Sequence, residues 1–313
     1  MALFRGFATG PATLRWLALK KRLVLLGNPL QLPDNKEDGL CKKAVREPQS
    51  ALEILRNVKP NELLCGPPYD LGQPYFPGMP HFPSHPPFLY SLTKRHGDIP
   101  YAGGITSAAD AIAMGTHVGT HIDALGHFSC NGVFFGGRAV AHTYEHGMAE
   151  LGVDQIAPII RRGVLIDIAR LEGLDALPAD FEVTPDHLDR ALKTEVNPGD
   201  IVLIRTGWAE FFSDARRYVN NSAGPGPGIE GARWLSARRV FAAGSDTVAF
   251  ENVPQSAMAV HAHLLVDSGI HIIEVLNLEE LARDGVEEFL FVAAPMNIRG
   301  ATGAPVRPLA FRM

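Results

Sequence analysis

Cysteine is scarce in this 313-residue chain: Cys41, Cys65 and Cys130 stand far apart and are odd in number. Such a set makes neither a disulfide framework nor a zinc ribbon, and it points to a reducing compartment, read here as the cytoplasm. No apolar run approaches the ~20 residues of a membrane span, so no membrane partner is expected. A basic excess is missing too. The formal net charge is −5, which argues against nucleic acid as the main partner, because phosphate binding needs a basic face. Charged residues make up 20% of the chain and apolar residues 46%, the balance of a soluble globular protein long enough to bury a core without covalent staples.

Acidic residues are absent before Asp34, whereas Arg5, Arg15, Lys20, Lys21 and Arg22 precede it. Residues 1–33 thus have the composition of an organelle import peptide; the other readings are a short basic surface helix and an upstream translation start that adds non-native sequence. Leu23-Val-Leu-Leu26 is too short for a secretory core. Residues 1–60 read as a partly helical N-terminal extension, with one helix near 49–57, and residues 61–313 as the catalytic domain. Prolines and aromatics crowd residues 66–88, which predicts a long ordered loop.

Beyond that loop, strand-like and helix-like segments alternate. Strands are expected at 164–168, 201–205, 247–250, 270–276 and 289–293. Helices are expected at 185–193, capped by Thr184, at 234–242 and at 260–266. The pattern predicts an α/β or α+β fold with a central sheet, taken here as α/β with a mixed sheet and flanking helices. Gly224-Pro-Gly-Pro-Gly228 looks like a phosphate loop, but its prolines delete the N–H groups a phosphate needs. A flexible surface hairpin is expected there instead.

Four metal-ligating side chains fall within eleven residues: His117, His121, Asp123 and His127. Gly115, Gly119 and the β-branched residues between them make a poor helix. Read as extended chain, the odd positions share one face, and Thr116, Val118, Thr120 and Ile122 turn to the core. Gly119 would then leave room for a metal or substrate. Imidazoles with a carboxylate suit zinc, manganese or iron. A Ser/His/Asp triad is disfavoured, because no Gly-x-Ser-x-Gly elbow surrounds Ser129. A second cluster follows at His261-Ala-His263 and at Glu274, a glutamate inside an apolar strand that is costly unless paired or metal-bound.

The run His117-x-Gly-Thr-His121-x-Asp123-x-x-x-His127 resembles the signature of the metal-dependent cyclase family, which includes kynurenine formamidases and isatin hydrolases. The likeness extends over about residues 66–313. It takes in Asp70-Leu-Gly-Gln-Pro, Gly78-Met-Pro, Gly163-Val-Leu-Ile-Asp167, Gly199-Asp-Ile-Val-Leu-Ile-Arg-Thr-Gly-Trp208 and Gly244-Ser-Asp-Thr247. It continues through His261-x-x-Leu-Leu, Ile273-Glu274-x-Leu-Asn-Leu and Pro305-Val-Arg-Pro308. Leu125 stands where the family commonly has proline, in the turn that places His127. The resemblance implies a swivelling β/β/α fold and a homodimer or homotetramer. It also implies a metal held by His117, His121 and Asp123. In two-metal members His127, His261 and Glu274 complete a second site bridged by Asp123; in one-metal members His127 is free for acid–base work.

The expected function is hydrolysis of an amide, lactam or lactone in a small, flat substrate by metal-activated water, with zinc or manganese as cofactor. His127 or Glu274 would take the water's proton and return it to the leaving group. Phe76, Phe82, Phe88, Phe128 and Trp208 are candidates for an apolar wall, and Trp208 reads equally well as core. The alternatives are a cyclase or lyase using the same ligands, and a metal-binding protein without catalysis.

Overall fold

The computed structural model describes residues 66–140, 147–253 and 258–313, which belong to one compact unit, Arg46–Met313. The helix expected near 49–57 and the basic stretch 1–33 lie outside the described residues.

A nine-stranded mixed sheet organises the fold. In chain order its strands are β1 (Tyr69–Asp70), β2 (His121–Asp123), β3 (Ile159–Asp167), β4 (Ile201–Arg205), β5 (Ala242–Ser245), β6 (His271–Glu274), β7 (Glu288–Ala293), β8 (Gly303–Pro305) and β9 (Leu309–Arg312). They lie side by side as β1-β9-β7-β3-β4-β5-β6-β2-β8. The central run β3-β4-β5-β6 is parallel. Antiparallel strands flank it on both sides.

Parallel strands covered on both faces need apolar residues at successive positions, and β4 supplies them. Val202 and Ile204 pack with Leu188, Trp234, Leu235 and Leu264 from the helices on one face. Ile201 and Leu203 pack with Leu165, Ile273, Phe289 and Phe291 on the other. Helix α1 (Pro185–Ala191) starts behind Thr184 as expected, with proline in its first turn and His187 Nδ1 accepting the Thr184 N–H at 3.1 Å. Helix α2 is Ile229–Ala237 and helix α3 is Ala259–His261, which continues as a π-helix over Ala262–Ser268.

Three expectations are corrected. The helix expected at 234–242 begins earlier, directly after Pro227-Gly228, and ends at Ala237. Residues 242–245 form β5 in place of a strand at 247–250, which is bend and turn. The reason is space: a Cβ on Gly244 would meet Leu276, Leu203 and the Ile273 carbonyl at 2.8–3.0 Å, so this strand uses small residues with weak strand propensity. Gly224–Gly228 is buried rather than a surface hairpin. Gly226–Pro227 pairs in parallel with Glu182–Val183, and a Cβ at Gly226 would run into the Phe250 carbonyl oxygen.

Candidate metal centre

The segment 117–127 brings its candidate ligands together by a different route from the extended run. Residues 116–120 form a turn, and only His121–Asp123 is strand. Gly119 adopts φ +68°, a conformation that favours glycine. Its missing side chain makes room for Tyr75 and Met79, not for a metal or substrate: a Cβ would lie 2.6 Å from the Tyr75 ring and 2.9 Å from the Met79 methyl. The loop 66–88 thereby braces the turn. Tyr75 donates its hydroxyl to the Thr120 carbonyl at 2.6 Å, and the Gln73 N–H reaches Thr120 Oγ1 at 2.8 Å. Gly119→Ala is expected to destabilise the protein by roughly 2–4 kcal/mol, from backbone strain plus overpacking. A urea midpoint equal to the parent's would refute this close approach.

Strand β2 runs between β6 and β8, and its register places Glu274 opposite His121 and Ile272 opposite Asp123. His121 donates Nδ1–H to the Gly119 carbonyl at 2.7 Å, which turns Nε2 inward. That atom lies 3.5 Å from Asp123 Oδ1 and 3.4 Å from Glu274 Oε2. His117 Nδ1 lies 2.6 Å from Asp123 Oδ1, and its Nε2 lies 2.9 Å from Thr302 Oγ1. His261, at the end of α3, brings Nε2 to 3.2 Å from Glu274 Oε1 and 3.9 Å from Asp123 Oδ2. The His127 ring stacks on His117 with centroids 3.8 Å apart. Its turn is closed by the His127 N–H on the Ala124 carbonyl at 2.9 Å, and Leu125 packs against the core where the family's proline would stand.

The residues present fit a cation. His121 Nε2 and Asp123 Oδ2 are buried without a hydrogen-bond partner, an arrangement that costs free energy unless something accepts their lone pairs. Two groups of ligating atoms converge, His117 with Asp123 and His127, and Asp123 with His261 and Glu274, each within 4.8 Å and sharing Asp123. His127 thus falls beside His117 rather than in the His261 and Glu274 group. Nitrogen and carboxylate donors in this mixture suit zinc or manganese.

The electrostatics follow from crowding. Burial raises the Asp123 carboxyl, yet the imidazoles of His127, His117 and His121 more than offset it and hold the group well below the usual range. Burial pushes His127 down to about 4, against the pull of Asp123, so it is neutral at pH 7. Burial also disfavours charge on His261, but hydrogen bonds to Glu251 and Glu274 prevail and raise it to about 10.

A cavity of about 300 Å³ opens onto these side chains, lined further by Phe82, His85, Phe128, Val248, Ala249 and Met258. Of the expected wall residues, Phe82 and Phe128 line this cavity. Phe76, Phe88 and Trp208 do not: they pack in the core cluster that also holds Val248 and Ala249, and the Trp208 indole N–H bonds the Tyr218 carbonyl at 2.8 Å. His263 faces away, with Nε2 2.8 Å from Ser236 Oγ.

Sequence reasoning missed His85, Glu251 and Thr302. Glu251 carried the same signal as Glu274, a carboxylate among apolar neighbours. Backbone strain was not visible in sequence at all. Val275, directly after Glu274, adopts φ +58°, an outlier for a β-branched residue. Thr120 Oγ1 on its carbonyl at 2.6 Å and the Thr247 carbonyl on its N–H at 3.0 Å hold it there.

A mixed α/β sheet with imidazole and carboxylate donors converging beside an apolar cavity defines the chain's class. The chain belongs to the Cyclase family, whose model matches residues 69–252. It is similar to the isatin hydrolase of Roseibium aggregatum, 26% identical over 64% of this chain and 73% of that protein. It is also similar to the kynurenine formamidase of Bacillus thuringiensis subsp. konkukian, 27% identical over 63% of this chain and 76% of that one. Among solved structures, a novel cyclase superposes with a TM-score of 0.73 at 30% identity, covering 82% of this chain and 92% of the other.

Proposed function

We propose that this chain is a metal-dependent hydrolase that opens an amide, lactam or lactone bond in a small, largely apolar substrate. The observation that carries the reading is the pair of partnerless buried atoms, His121 Nε2 and Asp123 Oδ2, facing the same cluster beside the cavity. The relatives named isatin hydrolase and kynurenine formamidase agree with it. His117, His121 and Asp123 would hold one divalent ion, zinc or manganese, since His117 Nδ1 and His121 Nε2 lie 2.6 and 3.5 Å from Asp123 Oδ1, and Asp123, His261 and Glu274 offer donors for a second.

Such an ion supplies Lewis acidity, polarising a carbonyl and acidifying water. The chain supplies the rest. Phe82, Phe128 and Met258 form apolar walls that hold a flat substrate and exclude bulk water. His127 takes up the nucleophile's proton at a ring nitrogen and delivers it to the leaving group. It suits this task because it is neutral, lines the cavity and has no side-chain hydrogen bond among the described residues. Glu274 is less free, since its two oxygens face His261 and His121.

The test is metal depletion, verified by elemental analysis, followed by assay on a panel of amides, lactams and lactones. Activity should fall to background and return with zinc or manganese. Full turnover by metal-free protein would end the proposal.

A further inference from the structure

We propose that Glu251 is a positioning residue that fixes the tautomer of His261, so that Nε2 is left to bind an ion held with Asp123 and Glu274. This rests on the metal-dependent reading of the site. The Glu251 side chain is fully buried, and its two oxygens have separate duties. Oε2 accepts the Val260 backbone N–H at 2.7 Å, in the first turn of α3. Oε1 lies 3.2 Å from His261 Nδ1.

An ionised carboxylate can only accept, so the ring nitrogen facing it carries the hydrogen. In the metal-free ring Nε2, 3.2 Å from Glu274 Oε1 and 3.9 Å from Asp123 Oδ2, carries a proton as well. An ion among those carboxylates would displace that proton and take the Nε2 lone pair while Nδ1–H stays on Glu251. This is the arrangement in which an outer carboxylate orients a ligating imidazole and raises its basicity. Position 251 also requires a carboxylate rather than an amide, because two N–H groups must be accepted at once. Glutamine has one acceptor. If its oxygen serves Val260, its NH₂ faces Nδ1 and moves the ring hydrogen to Nε2, pointing into the site. If its oxygen serves His261, the Val260 N–H is left buried against another donor.

The alternative is that Glu251 merely caps the turn that begins α3. Metal affinity separates the two, because a cap affects stability alone. Zinc affinity should be measured by chelator competition on the parent and on Glu251→Gln, with folded fractions set equal by near-ultraviolet circular dichroism. The ion held by Asp123, His261 and Glu274 should bind about 10- to 100-fold more weakly in the variant, and the other ion should change less. Glu251→Asp keeps two acceptors on a shorter stem and should give an intermediate loss. A folded Glu251→Gln protein with unchanged affinity for every ion would overturn the inference, whatever its melting temperature.

A second measurement needs no variant of Glu251. In zinc-loaded parent protein labelled with ¹⁵N-histidine, His261, assigned by its absence from His261→Ala, should show a protected Nδ1–H and a metal-shifted Nε2. A proton on Nε2 would also overturn the inference. A parent protein that binds no divalent ion would instead overturn the hydrolase reading itself.

Discussion

Asp123→Asn is expected to lose metal affinity by more than the 10- to 100-fold that a change outside the ligand set costs, with turnover falling in parallel. Asparagine has nearly the same shape, so the effect isolates the chemistry. Oδ1 faces His117 Nδ1 at 2.6 Å and Oδ2 is buried without a partner. An amide must turn an NH₂ toward one of them, setting a donor against either an imidazole or the cation. Asp123 is also the one residue common to both groups of ligating atoms, so both should weaken. His263→Ala is the matched control. Its ring bonds Ser236 on the far side of the helix, and its loss should leave metal content unchanged. Equal occupancy in the two variants, measured by elemental analysis, would show that the ligand set is wrongly drawn.

His127→Ala should keep its metal while turnover falls ~100- to 10,000-fold, the range for a lost acid–base group. The ring lines the cavity and is neutral, with burial holding its pKa near 4. A base must be unprotonated to act, so parent activity should hold as pH falls from 7 and decline on approaching 4. An ordinary histidine would give an inflection near 6.5. The alanine variant should lack that acid limb. If His127 ligates instead, the metal-to-protein ratio should drop by about one. Parent-like turnover with unchanged metal would exclude both roles and leave a ring that only stacks on His117.

Strands β3 and β4 at the centre of the sheet were legible because burial on both faces demands apolar residues at successive positions, and residues 164–166 and 201–204 supply them. The clustered side chains were legible as well, since His117, His121, Asp123 and His127 are too closely spaced to ignore, and Glu274 is out of place in its strand. Their assembly was not. Alternation along a strand applies to His121 and Asp123, but His117 arrives by a turn that depends on Tyr75 and Met79, some forty residues earlier. Strand β5 escaped notice because Ala-Ala-Gly-Ser has little intrinsic preference for extended chain. What selects it is the narrow gap between β4 and β6. The Gly-Pro run was misplaced because local chemistry reports a turn equally well in solvent or beneath Phe250.

The placement of β2 has a consequence for how such a chain can diverge. Hydrogen-bonded on both edges, β2 cannot slip by one residue without turning His121 and Asp123 away from Glu274 and breaking two ladders at once. By contrast, Phe82, Phe128, Val248 and Ala249 sit on connections between elements, which tolerate replacement more readily than paired strands. The geometry of the carboxylate–imidazole cluster and the chemistry of the cavity wall are therefore separately heritable. A descendant could exchange its cavity walls over many generations while the cluster passes on unaltered.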